Sequence, residues 1–468
     1  MRRKLSNEEI EKFEKLLKDI IEENKIKGIA IKAFYKTGEI IYEKYFGYKN
    51  EEKKLLIDEN TIFGIASITK SFVALSILQL VEEGKLSLED PISKHIKYFT
   101  NKNNKNPILI KHFLTHTPGF FPMKRTTIEE ILQKIKFEDT LEKEIIYNNK
   151  YAEENLKIVS NELDKETEFI GRPGEYFSYC NDGYGILSEI IHKITGIPFA
   201  TYVEEKIFKP LQMNRTNCSY VKNPLDENCS LLYTLKKEKW TCDLNFKNNA
   251  FCLGGAGSIK STIADLTKYI LLFLNEGKLN DIKIIDKYFI KEMIKPRISF
   301  NHNLYYCYGL QISEIDNRRY IGHSGSLPGV SSNIAFCPEE QLGIIILCNT
   351  MDVPTNLLSR ALFNLIIGRN ELIESPKLPK ITWDQDTVSD IQGEYISRED
   401  EEDNFSIKMK EGSLVLISNG KEKEVIPVFE NEAIVKGKLK DKFMFVIKNE
   451  ENKIFGIRYG TRVLKKTI

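Results

Sequence analysis

A serine and a lysine stand three residues apart in segment 64–72, Gly-Ile-Ala-Ser-Ile-Thr-Lys-Ser-Phe. On a helix these residues share one face, so Ser67 and Lys70 can meet. A serine hydroxyl becomes a strong nucleophile once a base takes its proton, and a lysine desolvated beside a buried helix can be neutral enough to do so. A helix start also favours an alkoxide at Ser67 and disfavours the ammonium of Lys70. The pair indicates nucleophilic catalysis, although such pairs also occur at ordinary solvated helix starts.

The helix predicted to carry this pair begins at Ile68 and reaches Val81, and Gly84 supplies its stop signal. Apolar residues at helical spacing surround almost the whole of it: Phe72, Val73, Leu75, Ile77, Leu78, Leu80 and Val81. We therefore expect the helix to be buried on nearly all sides.

Residues 178–181, Ser-Tyr-Cys-Asn, form a second candidate segment, predicted to be extended and to lead into a helix through Ile194. In an extended segment residues two apart point the same way, so the phenol of Tyr179 and the carboxamide of Asn181 can face one pocket. The alternative is that Tyr179 is an aromatic core residue without a chemical role. Cys180 flanks the two residues, and the chemistry has no clear need for its thiol.

A third candidate, His323-Ser324-Gly325, lies in a region whose pattern predicts neighbouring antiparallel strands. The strands are joined by turn signals at Pro328-Gly329 and at residues 338–341, and they cover Tyr320–Gly325, Ser331–Cys337 and Gly343–Asn349. A helix over Asn356–Ile367 is predicted to close this part of the chain.

His116 stands between a predicted short helix over Ile110–Leu114 and the turn signal Pro118-Gly119. A histidine can act as an acid or a base near neutral pH. Beside Pro-Gly at a helix end it more often makes a structural hydrogen bond, and we assign His116 no chemical role.

The chain begins with a predicted amphipathic helix, whose apolar residues run from Ile10 to Ile21, and a hairpin of the β-rich runs Gly28–Phe34 and Glu39–Phe46. Further along, Thr126–Glu168 is charged and helical in pattern without a glycine or proline. It predicts a surface insertion that could form part of a lid. The glycine-rich run Phe251–Gly257 lacks the ending of a phosphate loop, so we expect close backbone approach to a pocket there.

The pattern changes after Gly368–Pro379, which carries two prolines and little apolar content. Short alternating strands follow and predict a small antiparallel barrel over Thr387–Ile468, without a His/Cys cluster or catalytic motif. We divide the chain into a domain at 1–370, a linker at 371–380 and a barrel domain at 381–468. If the barrel docks near the cleft it should restrict substrates. A chain ending near Pro379 is then expected to keep covalent labelling at Ser67 but to change selectivity or assembly, favouring bulkier substrates or a smaller oligomer.

The bulk composition narrows the possible functions. The chain has 468 residues and a formal net charge of +1, which gives no electrostatic case for nucleic acid or an anionic membrane as a partner. Its eight cysteines lack paired metal-ligand spacing, so we expect free thiols, no metal and no cofactor. Neither a secretory signal nor a membrane-spanning stretch is evident, which predicts a cytoplasmic protein.

The three candidate segments stand in the order and spacing of the three signatures of the serine β-lactamase and penicillin-binding superfamily. The chain resembles the class C-like branch, with its peptidases and related esterases, over about Glu8–Ile367. In that branch a tyrosine opens the second motif, and a histidine often replaces the lysine of the third. The resemblance implies an α+β fold: an antiparallel sheet flanked by helices, plus a helical subdomain with the Ser67 helix buried at their junction.

The resemblance also implies roles for the residues. Ser67 would be the acylated nucleophile, and Lys70 and Tyr179 would share proton transfer as base and then acid. Asn181 would orient Lys70 and the substrate amide. The backbone N–H groups of Ser67 and Ser326 would form the oxyanion hole. The substrate would bind along the extended edge formed by His323, Ser324 and Gly325.

The substrate class follows from the resemblance less directly. With His323 in place of lysine, only a conditional positive charge is available for a carboxylate, which disfavours classical penicillinase activity. The appended lipocalin-like barrel resembles the arrangement of D-amino-acid-directed peptidases. We therefore expect a serine hydrolase acting on small peptides, with a carboxylesterase or weak β-lactamase as the alternative. A non-catalytic binding or self-assembling relative is a second alternative, and a homo-oligomer is compatible with each.

Overall fold

The computed structural model describes residues 3–100, 105–124, 126–127, 129, 140, 142, 144, 157–236, 239–243, 254–373, 378–399, 403–437 and 441–467. In chain order its strands are β1 (Gly28–Tyr35), β2 (Ile40–Asn50), β3 (Leu55–Leu56), β4 (Phe63–Gly64), β5 (Leu232–Lys236), β6 (Lys239–Asp243), β7 (Lys260–Ser261), β8 (Lys278–Leu279), β9 (Ile282–Lys283), β10 (Ile298–Asn301), β11 (Leu304–Tyr306), β12 (Gln311–Ile315), β13 (Arg318–Leu327), β14 (Val330–Cys337), β15 (Leu342–Cys348), β16 (Gly393–Ile396), β17 (Phe405–Lys410), β18 (Ser413–Ser418), β19 (Lys421–Phe429), β20 (Glu432–Val435), β21 (Lys442–Lys448), β22 (Ile454–Tyr459) and β23 (Arg462–Lys466).

The α-helices are α1 (Asn7–Glu23), α2 (Thr69–Glu82), α3 (Ile92–His95), α4 (Ile110–Leu114), α5 (Asn181–Thr195), α6 (Phe199–Val203), α7 (Gly254–Gly257), α8 (Ile263–Leu274), α9 (Lys287–Met293), α10 (Thr355–Ile366) and α11 (Gln385–Ile391). Short 3₁₀ turns cover Ala66–Ile68 and Asn223–Leu225, a π-helical turn covers Glu204–Phe208, and residues 157–165 are also helical.

Nine strands form one antiparallel sheet in the order β10-β11-β12-β13-β14-β15-β1-β2-β3. Every residue of β14 and β15 is buried, because helices cover both faces of the sheet there. On one face α1 and α10 pack against Ile344 and Ile346, and on the other α2 and α8 pack against Ile345 and Leu347. The predicted sheet, with its flanking helices, is confirmed.

Helix α2 lies inside the domain, at the junction predicted for the Ser67 helix. Each of its residues from Thr69 to Leu80 is buried, so the expected all-round burial is confirmed. The helix ends at Glu82, and Gly84 follows with a φ of 68°, a left-handed conformation that glycine adopts without strain. Helices α5 and α7 pack against α2 and form part of the helical subdomain.

The N-terminal prediction is also confirmed. Helix α1 starts at a capping box in which Ser6 accepts from the Glu9 backbone and Glu9 accepts from the Ser6 backbone. Strands β1 and β2 then pair as a hairpin beside it, with Gly38 in the turn at a φ of 86°.

Some predictions fall on parts of the chain that the structure does not describe. The insertion predicted over Thr126–Glu168 lies largely outside the described residues. The same holds for residues 374–377 of the predicted linker and for Phe251–Leu253 of the glycine-rich run. The rest of that run, Gly254–Gly257, is helix α7.

Strands β16–β23 close into the eight-stranded barrel that the alternating pattern predicts. Its interior is a packed core that includes Tyr395, Phe405, Leu416 and Ile457, and Trp383 and Ile391 pack against the same cluster. Side chains therefore fill the interior of the barrel, as eight strands allow.

The barrel docks on the first domain through an apolar contact and two stacked rings. Phe121 and Ile170 pack against Ile447 and Val463 of the barrel. His302, in the turn between β10 and β11, stacks on Phe429 and Phe443 at centroid distances of 5.8 and 6.4 Å. The barrel therefore contacts the first domain directly, through buried apolar side chains and aromatic rings.

Candidate active site

Ser67 lies in the 3₁₀ turn Ala66–Ile68, where Ala66 has a φ of 46°. Strand β13 presses directly against this turn. A Cβ at Gly325 would lie 2.3 Å from the Ile65 carbonyl oxygen, and the Ser332 hydroxyl donates to the same oxygen at 2.8 Å. Only glycine fits at position 325, and this close approach brings the strand that carries Ser326 beside the candidate nucleophile.

Lys70 is fully buried on the first turn of α2, and its ammonium nitrogen contacts the candidate nucleophile. Lys70 Nζ donates to Ser67 Oγ at 3.1 Å and to the Ala256 carbonyl oxygen of α7 at 2.8 Å. Burial lowers the pKa of Lys70 well below its usual range, and the cation of Arg462 adds to this effect. A neutral Lys70 can accept the proton of Ser67.

Tyr179 closes the other side of this pair. Lys70 Nζ lies 4.8 Å from the centroid of its ring. Burial raises the pKa of Tyr179, and a hydrogen bond with Ser67 and the Arg462 cation oppose that rise. The structure thus brings together Ser67, Lys70 and Tyr179, although Tyr179 lies 112 residues after Ser67 in the sequence.

His116 lies beneath Tyr179 and supports it. The two rings are 4.1 Å apart at their centroids, and His116 Nδ1 accepts a hydrogen bond from the Cys180 backbone at 3.0 Å. Burial holds the pKa of His116 well below its usual range. The neutral imidazole is a structural hydrogen-bonding residue, in agreement with the interpretation from sequence.

Asn181 begins α5 and points its amide at the barrel. Its Nδ2 donates to Glu399 Oε1 at 3.0 Å, whereas the acceptors of Lys70 are Ser67 and Ala256. The contact expected between Asn181 and the lysine is therefore replaced by a contact with a carboxylate that sequence analysis did not single out.

Cys180 caps helix α5. Its Sγ accepts from the Gly183 backbone at 3.4 Å, and burial raises the pKa of its thiol well above the usual value. A neutral thiol at an N-cap has a structural use, which accounts for a cysteine beside the chemistry without a catalytic role.

His323 is buried on β13 and uses both ring nitrogens within the protein. Nδ1 lies 2.6 Å from the Ser324 carbonyl oxygen and therefore carries the proton, while Nε2 accepts from the Tyr306 hydroxyl at 3.0 Å. Burial lowers the pKa of His323 to about 3. This histidine is neutral near pH 7, so it offers no positive charge to a substrate carboxylate. Sequence analysis missed Tyr306, which no motif marks.

The strand that follows His323 leaves one edge open. Strand β12 pairs with Arg318–Gly322, whereas residues 323–327 continue in register with β14 alone. The Ser324 hydroxyl accepts from Asn333 Nδ2 at 3.0 Å, and Ser326 is exposed. An extended peptide can add to such an edge by backbone hydrogen bonds.

Two barrel residues complete the surroundings of Tyr179. The Arg462 guanidinium lies 5.2 Å from the Tyr179 ring centroid and forms a two-point ion pair with Glu399, in which Nη2 donates to Oε1 at 3.0 Å. Burial disfavours this cation, but the Glu399 carboxylate outweighs burial and raises the pKa of Arg462. Glu399 and Arg462 belong to no sequence motif, so the sequence alone did not connect them with the site.

The barrel also touches the site through its backbone. The Tyr179 backbone donates to the Thr461 carbonyl oxygen at 2.8 Å, and the Val463 backbone donates to Ser178 Oγ at 3.3 Å. The hairpin turn between β22 and β23 therefore clamps the segment that holds Tyr179.

The described residues also bear on metal ions and membranes. No group of three or more His, Cys, Asp or Glu side chains among them is arranged to hold a metal ion. No helix in the described part of the chain is long and apolar enough to cross a membrane. The seven cysteines that the structure describes are free thiols.

A model of the family described as Beta-lactamase matches residues 13–367. Protein flp from Staphylococcus aureus is 28% identical over 348 residues, a match that covers 74% of this chain and 64% of Protein flp. The chain thus spans slightly less than two thirds of that relative. The putative penicillin-binding protein PbpX from Bacillus subtilis is 28% identical over 319 residues, covering 67% of this chain and 68% of PbpX.

Solved structures extend the similarity over the barrel. The octameric penicillin-binding protein homologue from Pyrococcus abyssi is 26% identical, with a TM-score of 0.68, and the match covers 98% of this chain and all of that one. The structure of SurE has a TM-score of 0.70 over 98% of this chain at 14% identity, a likeness of fold.

Proposed function

The chain belongs to the beta-lactamase family, and on that premise we propose that it is a serine hydrolase that forms an acyl-enzyme at Ser67. One observation carries the proposal: a fully buried lysine donates to the hydroxyl of Ser67 at 3.1 Å. Burial favours the neutral form of Lys70, which is the form that can take the serine proton.

Acylation would proceed in two proton transfers. Lys70 takes the hydroxyl proton as Ser67 Oγ bonds to the substrate carbonyl carbon, and the backbone N–H groups of Ser67 and Ser326 stabilise the oxyanion. Tyr179 then gives its proton to the leaving group as the scissile bond breaks, and the Lys70 ammonium restores it. In deacylation a water molecule gives a proton to the same pair as its oxygen bonds to the acyl carbon. The pair then passes that proton to Ser67 Oγ as the ester bond to Oγ breaks, which frees Ser67 and the acid product.

A small peptide is the substrate class that the site supports best. The open edge at residues 323–327 can pair with the N–H and C=O groups of an extended peptide, which an ordinary ester offers less fully. The barrel contacts the segment that holds Tyr179, and Tyr179 is only 7% exposed, which favours short substrates. We include a preference for D-amino acids because the appended barrel resembles the arrangement of D-amino-acid-directed peptidases.

Matched substrates test this proposal. Hydrolysis rates of D- and L-aminoacyl p-nitroanilides and of the corresponding p-nitrophenyl esters are measured for the wild type and Ser67→Ala. We expect amide hydrolysis, faster for the D-series, that disappears in Ser67→Ala. Turnover of the esters alone would instead identify a carboxylesterase, and turnover of neither would identify a non-catalytic relative.

We propose in addition that the protein is a homo-oligomer. The Pyrococcus abyssi protein, described as an octameric penicillin-binding protein homologue, matches this chain over 98% of its length at 26% identity, barrel included. Light scattering during size-exclusion chromatography should give a mass that is a multiple of the 54.2 kDa chain. A mass of one chain at micromolar concentration would contradict this proposal.

A further inference from the structure

We propose that Arg462 and Glu399 of the barrel are positioning residues of the active site, which hold Tyr179 and Asn181 in place and set the charge balance around Lys70. The inference rests on the proposed acyl-enzyme chemistry at Ser67. The family model matches residues 13–367, and both Glu399 and Arg462 lie after that region. Neither residue belongs to a catalytic motif.

The contacts connect the Arg462–Glu399 ion pair with both Tyr179 and Asn181. Arg462 lies over the Tyr179 ring, and its guanidinium is paired at two points with the Glu399 carboxylate. Glu399 Oε1 in turn accepts from Asn181 Nδ2 at 3.0 Å. Tyr179 precedes helix α5 and Asn181 is its first residue, so the two side chains lie close together and a single ion pair contacts both.

The backbone makes this arrangement rigid. Arg462 sits between Thr461, whose carbonyl oxygen accepts from the Tyr179 backbone at 2.8 Å, and Val463, whose backbone donates to Ser178 at 3.3 Å. The backbone on either side of Arg462 is thus hydrogen-bonded to Ser178 and Tyr179, which places the guanidinium beside the Tyr179 ring. A side chain fixed in this way can position a catalytic group without touching the substrate.

The two charges act on Lys70 with opposite signs. The Arg462 cation lowers the pKa of Lys70, and the Glu399 carboxylate raises it. The other titratable groups around the lysine are Cys180 and Asp182 of α5, the neutral His116 and His323, and the phenols of Tyr179 and Tyr184. Arg462 and Glu399 are the pair within this set that can be removed one charge at a time without altering the predicted nucleophile or base.

A second ion-pair group at the same interface provides a matched control. Arg398, next to Glu399 in the chain, pairs with Glu166 and Glu168 of the first domain and lies over the Phe121 ring. It links the two domains as Arg462 does, but its contacts do not include Ser67, Lys70 or Tyr179. Its substitution reports the loss of an interdomain ion pair alone.

The experiment measures the rate of Ser67 labelling by a fluorophosphonate against pH in the full-length chain. The wild type is compared with Arg462→Gln, Glu399→Gln, Arg462→Lys and Arg398→Gln. Removing the cation should raise the pKa of Lys70, so the acidic limb of the profile moves to higher pH in Arg462→Gln. Removing the carboxylate should move it to lower pH in Glu399→Gln.

Positioning predicts a loss of rate as well. Arg462→Gln should label on the order of 10²-fold more slowly on the plateau, the cost of a catalytic group displaced by about 1 Å. Arg462→Lys keeps the positive charge but loses the planar guanidinium. The acidic limb of its pH profile should therefore stay at the wild-type pH, and its plateau rate should fall less than that of Arg462→Gln. Arg398→Gln should keep both the plateau and the limb of the wild type.

Limbs that move in the same direction in Arg462→Gln and Glu399→Gln would overturn the inference, because a merely structural ion pair has that signature. Unshifted limbs in both variants would overturn it too, while wild-type labelling at Ser67 would leave the proposed function standing. If Arg462→Gln does not fold, the limb of Glu399→Gln and the plateau of Arg462→Lys decide. Absence of labelling in the folded wild type would overturn the proposed function and the inference together.

Discussion

The reactivity proposed for Ser67 depends on the burial of the titratable side chains around it. The residues at the site are common types, and burial on α2 and β13 changes their protonation. Burial favours neutral Lys70 and neutral His323, and it keeps the Tyr179 phenol protonated. In the proposed mechanism, the base, the acid and the nucleophile therefore carry no permanent charge.

Lys70→Arg tests whether the lysine acts as a base rather than as a cation. A guanidinium keeps the positive charge but cannot give up its proton near neutral pH, so it cannot accept one from Ser67. We expect acylation to fall at least ~10²-fold, the lower range for a positioned acid–base group. The burst of product in single-turnover kinetics measures it. A burst rate near the wild-type value would show that Lys70 acts only through its charge.

Tyr179→Phe removes the hydroxyl and keeps the ring that packs on His116. If the hydroxyl transfers protons, hydrolysis should slow by at least ~10²-fold while the thermal midpoint stays within a few degrees. Wild-type turnover in this variant would make Tyr179 a packing residue, the alternative left open by the sequence.

His323 predicts a pH dependence of stability. Its pKa is about 3 in the folded protein and about 6.5 when unfolded, so the unfolded chain binds a proton first as the pH falls. Its contribution to stability is therefore present above pH 6.5 and is lost progressively between about pH 6.5 and 3, at about 1.4 kcal/mol per pH unit. Urea unfolding of the wild type and His323→Gln across this window should show a smaller slope in the variant. An equal slope would mean that His323 is already charged in the fold.

At the scale of elements, the site depends on how closely β13 approaches the Ser67 turn. Gly325→Ala would place a Cβ 2.3 Å from the Ile65 carbonyl oxygen and 2.9 Å from the Ala66 Cβ. We expect a loss of about 1–3 kcal/mol in stability and a larger loss of acylation, because the strand must move away from the turn. Gly254→Ala is the control, since the nearest atom to its Cβ would be Ser258 Oγ at 3.9 Å. Wild-type acylation in Gly325→Ala would show that the close approach is dispensable.

The elements that local pattern determines could be predicted from sequence, and the contacts between distant elements could not. The apolar residues of α2 are a local signal, and turn residues mark the strands around His323. The alternation of Tyr179 with Asn181 predicts an extended segment, whereas Asn181 is the first residue of α5 and donates to Glu399. Tyr306, Glu399 and Arg462 meet the site only through the topology of the sheet and the docking of the barrel. The protonation state of His323 likewise depends on its burial, which cannot be inferred from the adjacent residues in the sequence.

In the whole molecule, the barrel contacts the candidate site, because Arg462 lies over Tyr179 and Glu399 accepts from Asn181. Sequence analysis predicts that a chain ending near Pro379 keeps its reactive serine, but such a chain would lose Glu399, Thr461 and Arg462 at once. We now expect that truncation to slow labelling of Ser67 by at least ~10²-fold, because Tyr179 loses both its backbone clamp and its ion pair. Circular dichroism checks that the truncated chain is folded. Wild-type labelling in a folded truncate would restore the earlier expectation.

The mass of the labelled protein shows whether Ser67 is the nucleophile. The full-length chain is treated with a fluorophosphonate, its intact mass is measured, and the adduct is mapped after tryptic digestion. We predict one adduct per chain on the peptide Leu55–Lys70, which contains Ser67 as its single serine, and no adduct in Ser67→Ala. An adduct on another peptide, or equal labelling of Ser67→Ala, would contradict the account.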